Sequence, residues 1–136
     1  MKTHILLAVF SATLLVPAQV RADDSPLAQQ MEHLDDAYKG FRREKDPAAG
    51  AEQARKAQTA VATSLAEIPA MLTKMPAGPE KSKAISSYRQ TMGELYVLLC
   101  KAEQAFLNEK VDEIPALVDE MKKLKKTGHT NFMEDE

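Results

Sequence analysis

A single cysteine, Cys100, leaves this 136-residue chain unable to close a disulfide within itself. Stability must therefore come from packing, helped by any ligand the protein holds. The sequence also lacks a basic excess. Its net charge is −2, which argues against a nucleic-acid binder. Strand signals are missing too, since β-branched residues are few and never alternate with polar ones. Beyond the N-terminal segment there is no second hydrophobic run of the roughly 20 residues that a membrane helix takes. Together these absences leave a helical domain, without a membrane anchor, held together by its core.

The N-terminal segment reads as a secretory signal. "MKTHILLAVFSATLLVPAQVRA" has Lys2, an apolar run from Ile5 to Val16, and Val20-Arg21-Ala22 with small residues where a signal peptidase cuts. Cleavage after Ala22 is expected, leaving residues 23–136 as one domain of 114 residues. Loss of Lys2 and Arg21 takes the net charge from −2 to −4. A chain of this length can bury a real core.

Four helices follow from period and punctuation. Leu27, Met31, Leu34, Tyr38 and Phe41 recur at spacings of 4, 3, 4 and 3, one apolar stripe on a helix opened by Ser25-Pro26. Asp46-Pro47 breaks that helix. An alanine-rich second helix spans about Pro47 to Ile68, with a thinner stripe of Ala54, Ala57, Val61, Leu65 and Ile68. "PAMLTKMPAGPE", Pro69 to Glu80, holds three prolines and a glycine and reads as a loop. The third helix carries Tyr88, Met92, Leu95, Leu99, Ala102 and Phe106. After a turn at "NEKVDEIP", Asp112 is placed to cap a fourth helix, with Pro115 in its first turn. Ile114, Val118, Met121 and Leu124 continue its inward face. Four amphipathic helices joined mostly by short turns predict an all-α, antiparallel up-down-up-down four-helix bundle.

That topology sets the start of the first helix beside the end of the fourth. Eight mature residues precede Met31 and seven residues follow His129. At about 1.5 Å of rise per residue, the two side chains reach the same level. Thioether sulfur and imidazole nitrogen across a planar gap form the axial pair of an electron-transfer haem. Leu34 and Tyr38 on the first helix, with Tyr88 and Met92 on the third, are candidates for the flat apolar walls. Lys125, one turn before His129, is placed near a propionate, and Phe132, one turn after it, closes the end.

Three stretches carry a resemblance to a known family: "LAQQMEHLDDAYK", "YRQTMGELYVLL" and "NEKVDEIPALVDEMKKLKKTGH". The chain resembles the soluble periplasmic cytochrome b562 proteins over essentially its whole mature length. The resemblance implies that Met31 and His129 are the axial ligands of one non-covalent haem b. It further implies a periplasmic electron carrier that is not an enzyme and that passes electrons to unidentified redox partner proteins, as a monomer. Family members keep two aromatics on the third helix; Tyr88 matches the first, and Met92 stands at the second. Lys125 matches a basic position before the histidine, whereas Gly128 replaces a bulkier neighbour and the long loop is built differently. No Cys-x-x-Cys-His is present, so thioether attachment of the haem is not expected.

Plainer readings stand beside these. Met31 on its stripe fits core packing, since methionine fills irregular gaps. His129 beside Gly128 fits a solvated helix end. His33 points off the stripe, and Cys100, one step from Leu99, reads as a half-buried, inert thiol. Lys122, Lys123, Lys125 and Lys126 form a solvated face able to guide an acidic partner. Two rival functions fit the same bundle. One is a copper site drawn from Met31, His129, Met121 or His33, with Met71 and Met75 in a distant loop. The other is a cofactor-free interaction bundle with an apolar groove.

Overall fold

The computed structural model describes residues 25–133. The signal peptide expected over residues 1–22 lies outside the described residues. Within them the chain forms α1 (Pro26–Phe41), α2 (Pro47–Ser64), a short α3 (Ala70–Lys74), α4 (Pro79–Leu107) and α5 (Ile114–Phe132). A 3-10 turn, Val111–Glu113, leads into α5. The four long helices, α1, α2, α4 and α5, pack as an antiparallel up-down-up-down bundle. No described helix is long and apolar enough to cross a membrane.

The helix starts follow the local chemistry. Ser25 Oγ accepts from the Ala28 amide at 3.1 Å, and Asp46 Oδ1 accepts from the Ala49 amide at 2.7 Å. Each cap is followed by proline at the first helical position, where no amide is needed. Helix α4 follows Gly78, whose φ of 153° lies where a side chain is strained. It ends in a pair of closing bonds, Lys110 amide to Ala105 carbonyl at 2.8 Å and Glu109 amide to Phe106 carbonyl at 3.0 Å. Glu109 sits between them in the left-handed region, at φ 58°.

Three boundaries differ from the sequence expectation. Helix α2 stops at Ser64, not Ile68: the Ala66 and Glu67 amides turn back to the Thr63 and Ser64 carbonyls, tightening the chain. Pro69 also disfavours helical backbone at Ile68. Asp112 does not cap α5, because its segment coils into the 3-10 turn and Glu113 takes the cap position without a side-chain bond. Pro115 lies in the first turn of α5 as expected. Inside the presumed loop, residues Ala70–Lys74 form α3, which packs Leu72 into the core at 1% exposure.

The stripes meet as read. Leu34, Tyr38 and Phe41 from α1 join all six expected α4 residues and Ile114, Val118 and Met121 from α5 in one buried core. The thin stripe of α2 is functional packing: Gly50, Ala51, Ala54 and Ala57 are small enough to let α4 approach closely. Phe106 lies over Gly50 and meets Phe41 at 5.9 Å between ring centroids. Burying a side chain of that size stabilises by about 1.5–3 kcal/mol. By contrast, α1 and α5 adjoin along the loosest of the four seams. Among the described residues two ion pairs cross it, Arg42–Asp119 at 2.5 Å and Lys125–Asp35 at 2.5 Å.

Candidate functional site

Where α1 begins and α5 ends, the helices part around a cleft of about 380 Å³. That is the size of a small-ligand pocket. Helix α1 contributes Met31, Leu34 and Tyr38; α4 contributes Tyr88 and Met92; α5 contributes Lys125, His129 and Phe132. All eight candidate residues named from the sequence line this one cleft.

The walls are firm and mostly apolar. Leu34, Tyr38, Tyr88, Met92 and Phe132 are each no more than 6% exposed. The Tyr88 ring meets Phe132 edge-on, with centroids 5.6 Å apart and planes at 83°. Its hydroxyl donates to the Ser64 carbonyl at 2.8 Å. That bond joins α4 to the end of α2 and fixes the ring. Burial, with the charge of Glu67 adding, pushes the Tyr88 hydroxyl up to about 12. Burial also raises the Tyr38 hydroxyl well above its ordinary value, and the Asp35 carboxylate adds to the rise.

The donors differ from the walls. Met31 is half-buried and His129 is exposed, yet both border the cleft. Gly128 does not end the helix, which runs on to Phe132. His129 therefore stands on a formed helical turn, and Phe132 is buried where it was expected to close the end. His33 is exposed and lies off the cleft, and Met121 is fully buried in the core, so neither joins Met31 and His129. Cys100 is half-buried, away from the cleft, and its thiol is raised above its usual range by burial and by Glu103.

Two features escaped the sequence reading. Met71, assigned to a distant loop, lines the cleft, because α3 folds back over the end of the bundle. Lys81 holds that fold, with Nζ donating to the Thr73 and Met75 carbonyls at 2.8 and 3.2 Å. Lys125 is not a free cation: it donates to both carboxylate oxygens of Asp35. A signal for this pairing was present. Asp35 follows Met31 by four residues and Lys125 precedes His129 by four, so antiparallel helices that level one pair level the other.

Fold and cleft together define a four-helix-bundle protein with an internal ligand site framed by sulfur, imidazole and aromatic rings. The sequence profile of the cytochrome b562 family matches residues 26–133, nearly all of the described chain, and the protein belongs to that family. No curated protein sequence matches the chain significantly. Cytochrome b562 proteins bind non-covalent b-type haem. The residues present suit that group, with thioethers, Met31 among them, and one imidazole as available donors, buried apolar walls and a single lysine at the edge.

Proposed function

We propose that the protein is a periplasmic electron carrier in which Met31 and His129 are the axial ligands of a b-type haem. The observation that carries this reading is the juncture of two iron-competent side chains, 98 positions apart, on one apolar cleft. When bound, haem supplies one-electron redox chemistry at its iron. The chain's own residues do the rest. Met31 and His129 would hold the iron from α1 and α5, Phe132 braces the Tyr88 ring edge-on in the wall, and Leu34, Tyr38 and Met92 would keep water out. With Met31 and His129 both holding the iron, no open position would remain for a substrate, and the protein would act as a carrier and not an enzyme. The expected N-terminal signal would export it to the periplasm, where it would act as a monomer. The exposed Lys122, Lys123 and Lys126 on α5 offer a basic face to an acidic redox partner protein.

One absorbance experiment tests this. The mature protein, expressed with its signal peptide, gives a low-spin haem spectrum that changes on reduction. His129→Ala loses most of its haem, and His33→Ala keeps the wild-type spectrum. A wild-type low-spin spectrum from His129→Ala, or its loss in His33→Ala, refutes the assignment.

A second reading, a soft-metal site, gains support from one correction. With Met71 in place, Met31, Met71, Met92 and Met133 line the same cleft as His129. Thioethers and imidazole suit copper(I). Colourless purified protein that takes up copper(I) stoichiometrically would favour that reading over haem.

A further inference from the structure

Asp35 and Lys125 are the two oppositely charged side chains on the cleft wall, and among the described residues lining it no other Lys, Arg, Asp or Glu occurs. Lys125 Nζ donates to the two Asp35 oxygens at 2.5 and 2.6 Å. Each side chain remains a little over a third exposed, at 36% and 37%. The pair bridges α1 and α5 across the loosest seam of the bundle, one helical turn inward of Met31 and His129. A ligand that brings carboxylates into this cleft meets a lysine already engaged by a carboxylate of the protein.

We propose that Asp35 is a specificity-determining residue that competes with the ligand's carboxylates for Lys125. This rests on the haem reading above. Haem carries two propionates, so its binding must loosen the Asp35–Lys125 pair or share it, with Asp35 left close to a second negative group. Asp35 therefore lowers affinity for acid-bearing tetrapyrroles and leaves affinity for neutral ones untouched. It also places a negative charge beside the iron site, which favours the oxidised state. A carboxylate at this position thus makes the site weaker for haem and more oxidised than the bundle alone requires. An exposed ion pair is weak enough for this exchange to occur at modest cost.

The test is a titration of haem-free protein, under reducing conditions, with ferrous haem and with ferrous haem dimethyl ester, which has no free carboxylates and no net charge. Asp35→Asn keeps the shape of the side chain and removes its charge. It lowers the Kd for haem by roughly three- to tenfold, leaves the Kd for the ester unchanged, and raises the reduction potential. Asp35→Ser gives the same pattern: a lower Kd for haem, an unchanged Kd for the ester and a higher potential. Lys125→Gln weakens haem binding and leaves the ester unaffected. Unchanged or weaker haem binding in both Asp35 variants overturns the proposal. Equal tightening of haem and ester also overturns it, because the pair would then be a mechanical clasp between helices. Wild-type protein that binds neither ligand refutes the haem reading, and this inference falls with it. Haem binding with Asp35-independent affinity refutes the inference alone.

Discussion

Gly50 lies beneath the ring of Phe106, so close that a Cβ built on it would stand 2.2 Å from Phe106 Cδ1 and 2.3 Å from Cε1. Phe106 is fully buried and cannot swing aside. In an open helix, Gly→Ala stabilises by roughly 0.5–1 kcal/mol. Here overpacking outweighs that gain, and Gly50→Ala destabilises by about 1–3 kcal/mol. Gly93, also inside a helix, has nothing within 4 Å of the added atom. Gly93→Ala stabilises by about 0.5–1 kcal/mol. Urea unfolding of both variants checks the opposite signs.

Met31 and His129 should fail differently. Imidazole binds iron in both oxidation states, whereas thioether contributes mainly to the reduced one. Met31→Ala therefore keeps haem in a looser, partly high-spin site. Met31→His restores low-spin iron and lowers the potential. Spectra of oxidised and reduced protein with a potentiometric titration decide the matter, and a Met31→His potential at or above wild type would contradict it. Met71 lines the same cleft, so Met31→Ala/Met71→Ala also settles whether Met71 supplies sulfur when Met31 is gone: a further loss of low-spin signal means that it does.

Tyr88 links stability to alkaline pH. Its hydroxyl is raised from 10.0 to about 12 in the folded protein. Below pH 10 both folded and unfolded forms keep the proton, and the stabilisation is complete. As pH rises from about 10 to 12 the unfolded chain loses the proton first, so stability falls by about 2–3 kcal/mol. Tyr88→Phe removes the bond to the Ser64 carbonyl and starts less stable, but its decline over that window is shallower. Tyr38 titrates in the same direction and leaves a residual slope. Denaturant midpoints at pH 8, 10 and 11.5 measure the difference.

Cys100 lies on α4 away from the cleft lining. Acid-acetone extraction should remove all the colour from the protein, and Cys100→Ser should leave the haem spectrum unchanged. Colour retained on the polypeptide would contradict non-covalent binding in this chain.

The long helices were legible because each rests on a local rule. Apolar spacing of 3 and 4 placed Leu34, Tyr38, Tyr88 and Phe106 inward, and Ser25 and Asp46 marked two starts through side chains that cap their own helix. Counting residues from each end of the chain put Met31 and His129 at one end of the bundle, and both do border one cleft. Helix α3 was not legible. Five residues carry too little period to declare a helix, and what holds them is Leu72 in the core and the distant Lys81. Met71 was misplaced for that reason. Gly128 offered a helix end only in the plainer reading of His129, and the helix runs past it to the buried Phe132 that the inward stripe already pointed to. Asp112 failed as a cap because a competing backbone turn satisfied the same amides.

The glycine-and-alanine contact between α2 and α4 works like the spine of a book, and α1 and α5 are its covers. With only glycine and alanine on the α2 side of that contact, the backbones lie too close to separate without unfolding. The covers are joined at their free edges by two solvent-exposed ion pairs. Fluctuations of the haem-free protein therefore concentrate at that free edge. Backbone amides in the first turns of α1 and the last turns of α5 should exchange with deuterium far faster than those around Ala54 and Leu99. A cofactor leaving between the covers would not need to disturb the spine.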